Sequence, residues 1–204
     1  MTPGAITYTR VMSRWEPNAR VRLERAALDL FVERGYDATT VAEIAERAGL
    51  TKRTFFRHFT DKREVLFGGQ EIMIRLLVDG IAGARGLTTP LDAIGAALEA
   101  VASVFDLDRL DVVRQRQTVI DANVELRERE LLKGATLSAA MAEGFRQRGL
   151  SESVVNVAAQ LGQLALHSTF VRWARPDNER KFTDLAQETL AELKAATAAL
   201  DSTE

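Results

Sequence analysis

Lys52, Arg53, Phe56 and Arg57 fall within six consecutive residues, and Phe55 and Phe59 stand four apart beside them. In a helix the latter two rings share one face, and the three cations share the opposite face with Phe56. A purely structural helix rarely carries three cations and a ring on its solvent side. Phe56 could turn into the core, but Phe55 and Phe59 already supply an inward pair. Cations suit phosphates and guanine edges, and an exposed ring suits thymine methyls or sugars. The outer face therefore has the chemistry of a helix that enters a DNA major groove. Between Arg47 and Arg63 six basic residues stand against one acid, Asp61. Residues 1–77 hold 13 Lys and Arg against 10 Asp and Glu, whereas residues 78–204 hold 14 against 19. A basic focus within a chain of net charge −2 indicates one anionic contact surface rather than general adhesion.

Such a helix needs neighbours to hold it. Leu23, Ala27, Leu30 and Phe31 make one apolar stripe, which predicts a first helix from about Pro17 to Arg34, ended by Gly35. Thr40 and Glu43 have the spacing of a capping box, opening a second helix whose buried face is Val41, Ile44, Ala45 and Ala48. Gly49 ends that helix, and Thr51 caps the next, about Lys52–Phe59. At two turns this third helix is marginal alone and depends on packing. Thr60 or Asp61 caps a fourth helix, expected to run on to about Ile81. Three helices with a glycine turn before the third describe a helix-turn-helix unit spanning 40–59. Further helices are predicted at about 90–105, 109–121, 122–148, 151–174 and 178–199, with Gly149 and Pro176 at two of the breaks. The last two carry long apolar stripes: Val154, Val157, Leu161, Leu164, Ser168 and Val171, then Phe182, Leu185, Thr189, Leu190, Leu193 and Leu200.

The fold class is thus all-α. The expected parts are an arm over 1–16, a helix-turn-helix domain over 17–77 and a helical domain over 78–204, about nine helices in all. No cysteine and two distant histidines leave no disulfide framework and no cysteine- or histidine-rich metal centre, so neither metal nor cofactor is expected. The apolar runs are too short to span a bilayer, and the first twenty residues lack a signal-peptide core, so a soluble, cytoplasmic protein is expected. No Ser/His/Asp arrangement, phosphate loop or metal-binding spacing suggests an enzyme.

The segment RVRLERAALDLFVERGYDATTVAEIAERAGLTKRTFFRHFTDKREVLF, Arg20–Phe67, resembles the DNA-binding domain of the tetracycline-repressor (TetR) family of bacterial regulators. Phe55-Phe56 stands where the family usually has Leu-Tyr, so a phenol–phosphate hydrogen bond is lost. The variant TFFR is similar to a subgroup whose C-terminal domains sense acyl-CoA-like ligands. The resemblance implies double-stranded DNA with a palindromic operator as partner, a homodimer formed by the last two helices, and a small-molecule effector that releases a repressor. It further implies that Thr40 caps the second helix and touches phosphate, and that Lys52, Arg53 and Thr54 face base edges. Phe56, Arg57 and His58 would meet base methyls, sugar or phosphate, and Lys62 would hold phosphate.

Plainer readings stand beside these. His58 could answer only its own helix dipole. Arg10, Arg14 and Arg20 could form a DNA-reaching arm or a disordered tail. His167 reads as a satisfied buried histidine, and Phe105, Met141 and Trp173 read as core. Arg114 and Arg116 read as solvated charges or contacts to an anionic effector. The run at 127–130 reads as a surface face of opposite charges close enough to pair with one another. No effector residue is assigned. The alternative to a regulator is a helical small-molecule-binding or protein-interaction module without DNA binding.

Overall fold

Gly35, Thr40, Gly49, Thr51 and Gly149 stand at or beside helix ends in the computed structural model, which describes residues 18–84, 86 and 89–201. Arg10 and Arg14 of the expected arm lie outside these residues. The helices are α1 Ala19–Arg34, α2 Val41–Arg47, α3 Lys52–His58, α4 Gln70–Gly83, α5 Pro90–Ala102, α6 Leu110–Asp121, α7 Val124–Gln147, α8 Glu152–Trp173 and α9 Phe182–Asp201. Among the described residues there is no strand, and no helix is long and apolar enough to cross a membrane.

Two apolar cores organise them. The first joins Leu23, Leu30, Phe31 and Tyr36 to Ile44, Phe55, Phe59, Leu66 and Phe67, and is completed by Val119, Ile120 and Leu126 from α6 and α7. The second gathers Leu77, Ile81, Ile94, Leu98, Met141, Phe145, Val155, Trp173 and Phe182 from α4, α5, α7, α8 and α9. Phe105, Met141 and Trp173 are core as expected: Phe105 stacks on Phe182 with centroids 4.4 Å apart, and Trp173 meets both edge-on. α4 lies so close to α5 that a Cβ on Gly80 would come within 2.6 Å of the Ala97 backbone.

The expected fourth helix is broken. Asp61 Oδ1 accepts from the backbone of Arg63 and Glu64 and caps only a 3-10 turn, Arg63–Leu66. Gly68 and Gly69 follow, Gly69 at φ +80°, and α4 starts afresh at Gln70. Leu66 and Phe67 therefore belong to the first core and Leu77 to the second, although the sequence grouped all three with the helix-turn-helix.

Three other readings are corrected. His167 is exposed on α8, not buried. The charges of 127–130 pair mainly across elements: Arg129 with Glu64, and Glu130 with Arg116. Arg114 and Arg116 are neither simply solvated nor free for a ligand, because both hold backbone carbonyls. Arg114 takes those of Ala174, Arg175 and Asn178, and Arg116 takes that of Leu66. α9 turns Phe182, Leu185 and Thr189 inward. α8 behaves differently: Val154, Val157, Leu164 and Val171 are exposed, Val157 at 61%.

Candidate nucleic-acid interface

The turn before α3 is built by backbone geometry. Gly49 adopts φ +64°, which lets its N–H reach the Glu46 carbonyl at 2.8 Å and that of Leu50 reach Ala45 at 2.8 Å. The Arg22 guanidinium donates to the Ala48 carbonyl at the same helix end. Thr51 Oγ1 accepts from Thr54 N at 3.1 Å and opens α3. Phe59, extended at φ −138°, closes it.

α3 has the two faces its sequence requires. Phe55 and Phe59 are buried, centroids 5.3 Å apart. Lys52, Arg53 and Arg57 are exposed, and Phe56 is 55% exposed. None of these three cations has an ion pair or hydrogen bond among the described residues. The other bases of the basic run are engaged. Arg47 grips Glu33 through two bonds of 2.9 and 2.8 Å, and Arg63 pairs with Asp61 at 2.9 Å and Glu125 at 3.2 Å. The Arg63 guanidinium holds the Asp61 carboxyl below the usual range. The focus of six cations thus reduces to the three on α3.

The remaining candidates stand differently. Thr40 forms the full capping box: its hydroxyl accepts from Glu43 N at 3.3 Å and donates to Glu43 Oε2 at 2.7 Å. Thr40 also donates its own N–H to that carboxylate at 2.8 Å. These bonds hold the Glu43 carboxyl below its ordinary range. Thr54 is half-buried, its hydroxyl 3.0 Å from that of Thr51. His58 is half-buried, with Nε2 shielded and unpartnered. Lys62 is not a free phosphate hook. Its ammonium donates to the carbonyls of Tyr36 at 2.7 Å and Thr39 at 2.9 Å, and lies 4.0 Å from the centre of the Tyr36 ring. It ties the α1–α2 loop to the end of α3, a positioning role for which only the folded backbone gives the signal. Arg20 pairs with Glu24 at 3.0 Å and lies over Phe59. Among the described residues no group of three His, Asp or Glu could hold a metal ion.

Residues 24–67 match the family described as bacterial regulatory proteins, tetR family. The transcriptional repressor KstR2 of Rhodococcus jostii RHA1 is 30% identical over 189 residues, covering 84% of this chain and 87% of KstR2. The transcriptional regulator TcmR of Streptomyces glaucescens is 38% identical over 82 residues, 40% of this chain but only 36% of TcmR. The FadR regulator of Bacillus subtilis, solved with stearoyl-CoA, superposes with a TM-score of 0.52 at 22% identity, covering 85% of this chain and 95% of FadR. At that identity the likeness speaks to the fold alone. The chain belongs to the tetR family of bacterial regulatory proteins.

Proposed function

We propose that this chain is a one-component transcriptional repressor of the cytoplasm. As a homodimer it sets two copies of α3 into successive major grooves of a near-palindromic operator, about 34–36 Å apart. The observation that carries this reading is the unpaired cationic face of α3, backed by two buried rings. Lys52, Arg53 and Arg57 meet phosphates and base edges, and Phe56 meets methyls or sugar. Thr54 and His58 lie beside that surface. Thr40 and Lys62 act chiefly by shaping it. The exposed stripe of α8 supports dimerisation, since a helix face of that apolarity needs a cover.

A small molecule binding among the C-terminal helices would favour a state in which the two α3 copies are wrongly spaced. The stearoyl-CoA bound by FadR and the TFFR variant of α3 both favour an acyl-CoA-like effector. The groove between α5 and α9, bounded by Gly95, Leu98 and Leu190, encloses about 150 Å³. Ligand pockets usually run to roughly 300–1,000 Å³, so the effector would have to part these helices.

Selection of bound duplexes from random DNA, repeated with a panel of acyl-CoAs and at rising salt, tests the reading. It expects an enriched palindrome, a steep fall of affinity with salt, and release by one class of ligand. Absence of enrichment together with salt-independent binding would favour the protein-interaction alternative.

A further inference from the structure

The head, residues 18–67, joins the body through Gly68 and Gly69, which carry no side chain of their own. Directly before it, the body reaches across. Arg129 of α7 donates Nε to Glu64 Oε1 at 2.6 Å and Nη2 to Oε2 at 2.9 Å, a two-pronged grip on the 3-10 turn. Its guanidinium carbon lies 4.8 Å from the centre of the Phe67 ring, and that of Arg116 from α6 lies 5.1 Å from the same centre. Arg116 also donates to the Leu66 carbonyl and, at 2.9 Å, to Glu130. Lys133 completes the group, 3.7 Å from Glu130. Phe67 is buried and these five charged side chains are largely so, which lowers screening and sharpens the geometry.

Two exposed polar contacts, Arg63 with Glu125 at 3.2 Å and Asn123 with Asp37 at 3.3 Å, also cross the seam, and beside them Val119, Ile120 and Leu126 make apolar contact with the α1 side of the head. Apolar contact is non-directional and tolerates sliding. A guanidinium fork does not, because its donors are fixed in a plane.

We infer that Arg116 and Arg129 are positioning residues for DNA recognition, clamping Phe67 and Glu64 so that the head keeps one angle across the Gly68–Gly69 hinge. The consequence for DNA rests on the function proposed above; the clamp does not. An effector that moved α6 or α7 by a fraction of an ångström would loosen this grip and free the head.

The chain has no cysteine, so two spin labels can be introduced cleanly. Glu46→Cys on the head and Ala139→Cys on the body, both exposed in the parent, report the angle as a distance distribution. The labelled chain is diluted with unlabelled chain to suppress pairs between protomers. The parent is expected to give one narrow distance. In Arg116→Gln/Arg129→Gln the distribution should broaden at least twofold, while a pair within the body, Ala139→Cys with Gln187→Cys, stays unchanged and shows that the fold survives. An unaltered head–body distribution overturns the clamp.

Affinity is then measured for the selected operator and for a random 30-bp duplex. If roughly one molecule in ten keeps the right angle, operator affinity falls about tenfold while random-duplex affinity holds, because α3 is untouched. A broadened distance with undiminished operator affinity overturns the positioning role. A parent that binds no duplex refutes the proposed function and leaves the distance result to judge the clamp by itself.

Discussion

Lys133→Met replaces a largely buried ammonium with an apolar side chain of similar length. Burial, with Arg116 close by, pulls the Lys133 ammonium down from 10.5 to about 8, against the opposing pull of Glu130. At about 1.4 kcal/mol per pH unit, keeping it charged at pH 7 costs the fold about 3 kcal/mol. That cost is already net of the attraction of Glu130, 3.7 Å away. Burial works against the Glu130 charge, yet Arg116 and Lys133 outweigh it and keep that carboxyl below its usual range. Arg116 remains at 2.9 Å in the variant. The net expectation is a gain of about 3 kcal/mol at pH 7, which for a chain of this size raises Tm by about 6–12 °C. Between the folded value near 8 and the unfolded 10.5 the native chain binds fewer protons than the unfolded one. Parental stability therefore climbs with pH through that window and lies on its lower plateau below it. The advantage of Lys133→Met should accordingly shrink or reverse by pH 10. Urea unfolding followed by circular dichroism at pH 7 and pH 10 measures both values. A variant less stable than the parent at pH 7, or an identical difference at both pH values, would refute the charging argument.

Four further outcomes follow from the interface. Lys62→Ala should lower Tm, through two lost bonds to carbonyls and a lost ring contact worth about 2–4 kcal/mol together, and should change the salt dependence of DNA binding by less than one unit. Arg57→Ala should leave Tm unchanged and reduce the slope of log affinity against log salt by about one, read by fluorescence anisotropy. Thr40→Ala should cost about 1 kcal/mol through the lost cap, and Thr40→Ser should restore most of it in a thermal melt. Gly49→Ala should lower Tm, because its Cβ would meet Arg22 Nη2 at 2.8 Å and its φ of +64° strains any side chain.

Local chemistry was legible in the sequence. The Thr40–Glu43 spacing, Gly49 and Thr51 mark caps and turns that depend on residues three or four apart, and each is found. The two faces of α3 follow from helical periodicity in the same way. What escaped is non-local. Lys62 looks like a free cation until the chain brings the carbonyls of residues 36 and 39 to it. The Arg129–Glu64 grip spans 65 residues, and no pattern in either neighbourhood announces it. His167 is exposed rather than buried because α8 keeps a broad exposed face that helical periodicity alone does not reveal. Gly68-Gly69 was a visible punctuation mark, and taken at its usual weight it would have split the fourth helix correctly.

The three unengaged cations of α3 also bear on how the proposed repressor would travel. Attraction to arbitrary duplex grows with the number of phosphates neutralised, so on the proposed function α3, with its three unpaired cations, would by itself add little hold on bulk chromosome. On that reading copies of the protein would spend more of their search in free diffusion and short hops than parked on irrelevant sequence. For the proposed homodimer, residence at the operator would depend on fit between two heads and two grooves, so a slight misalignment would shorten it.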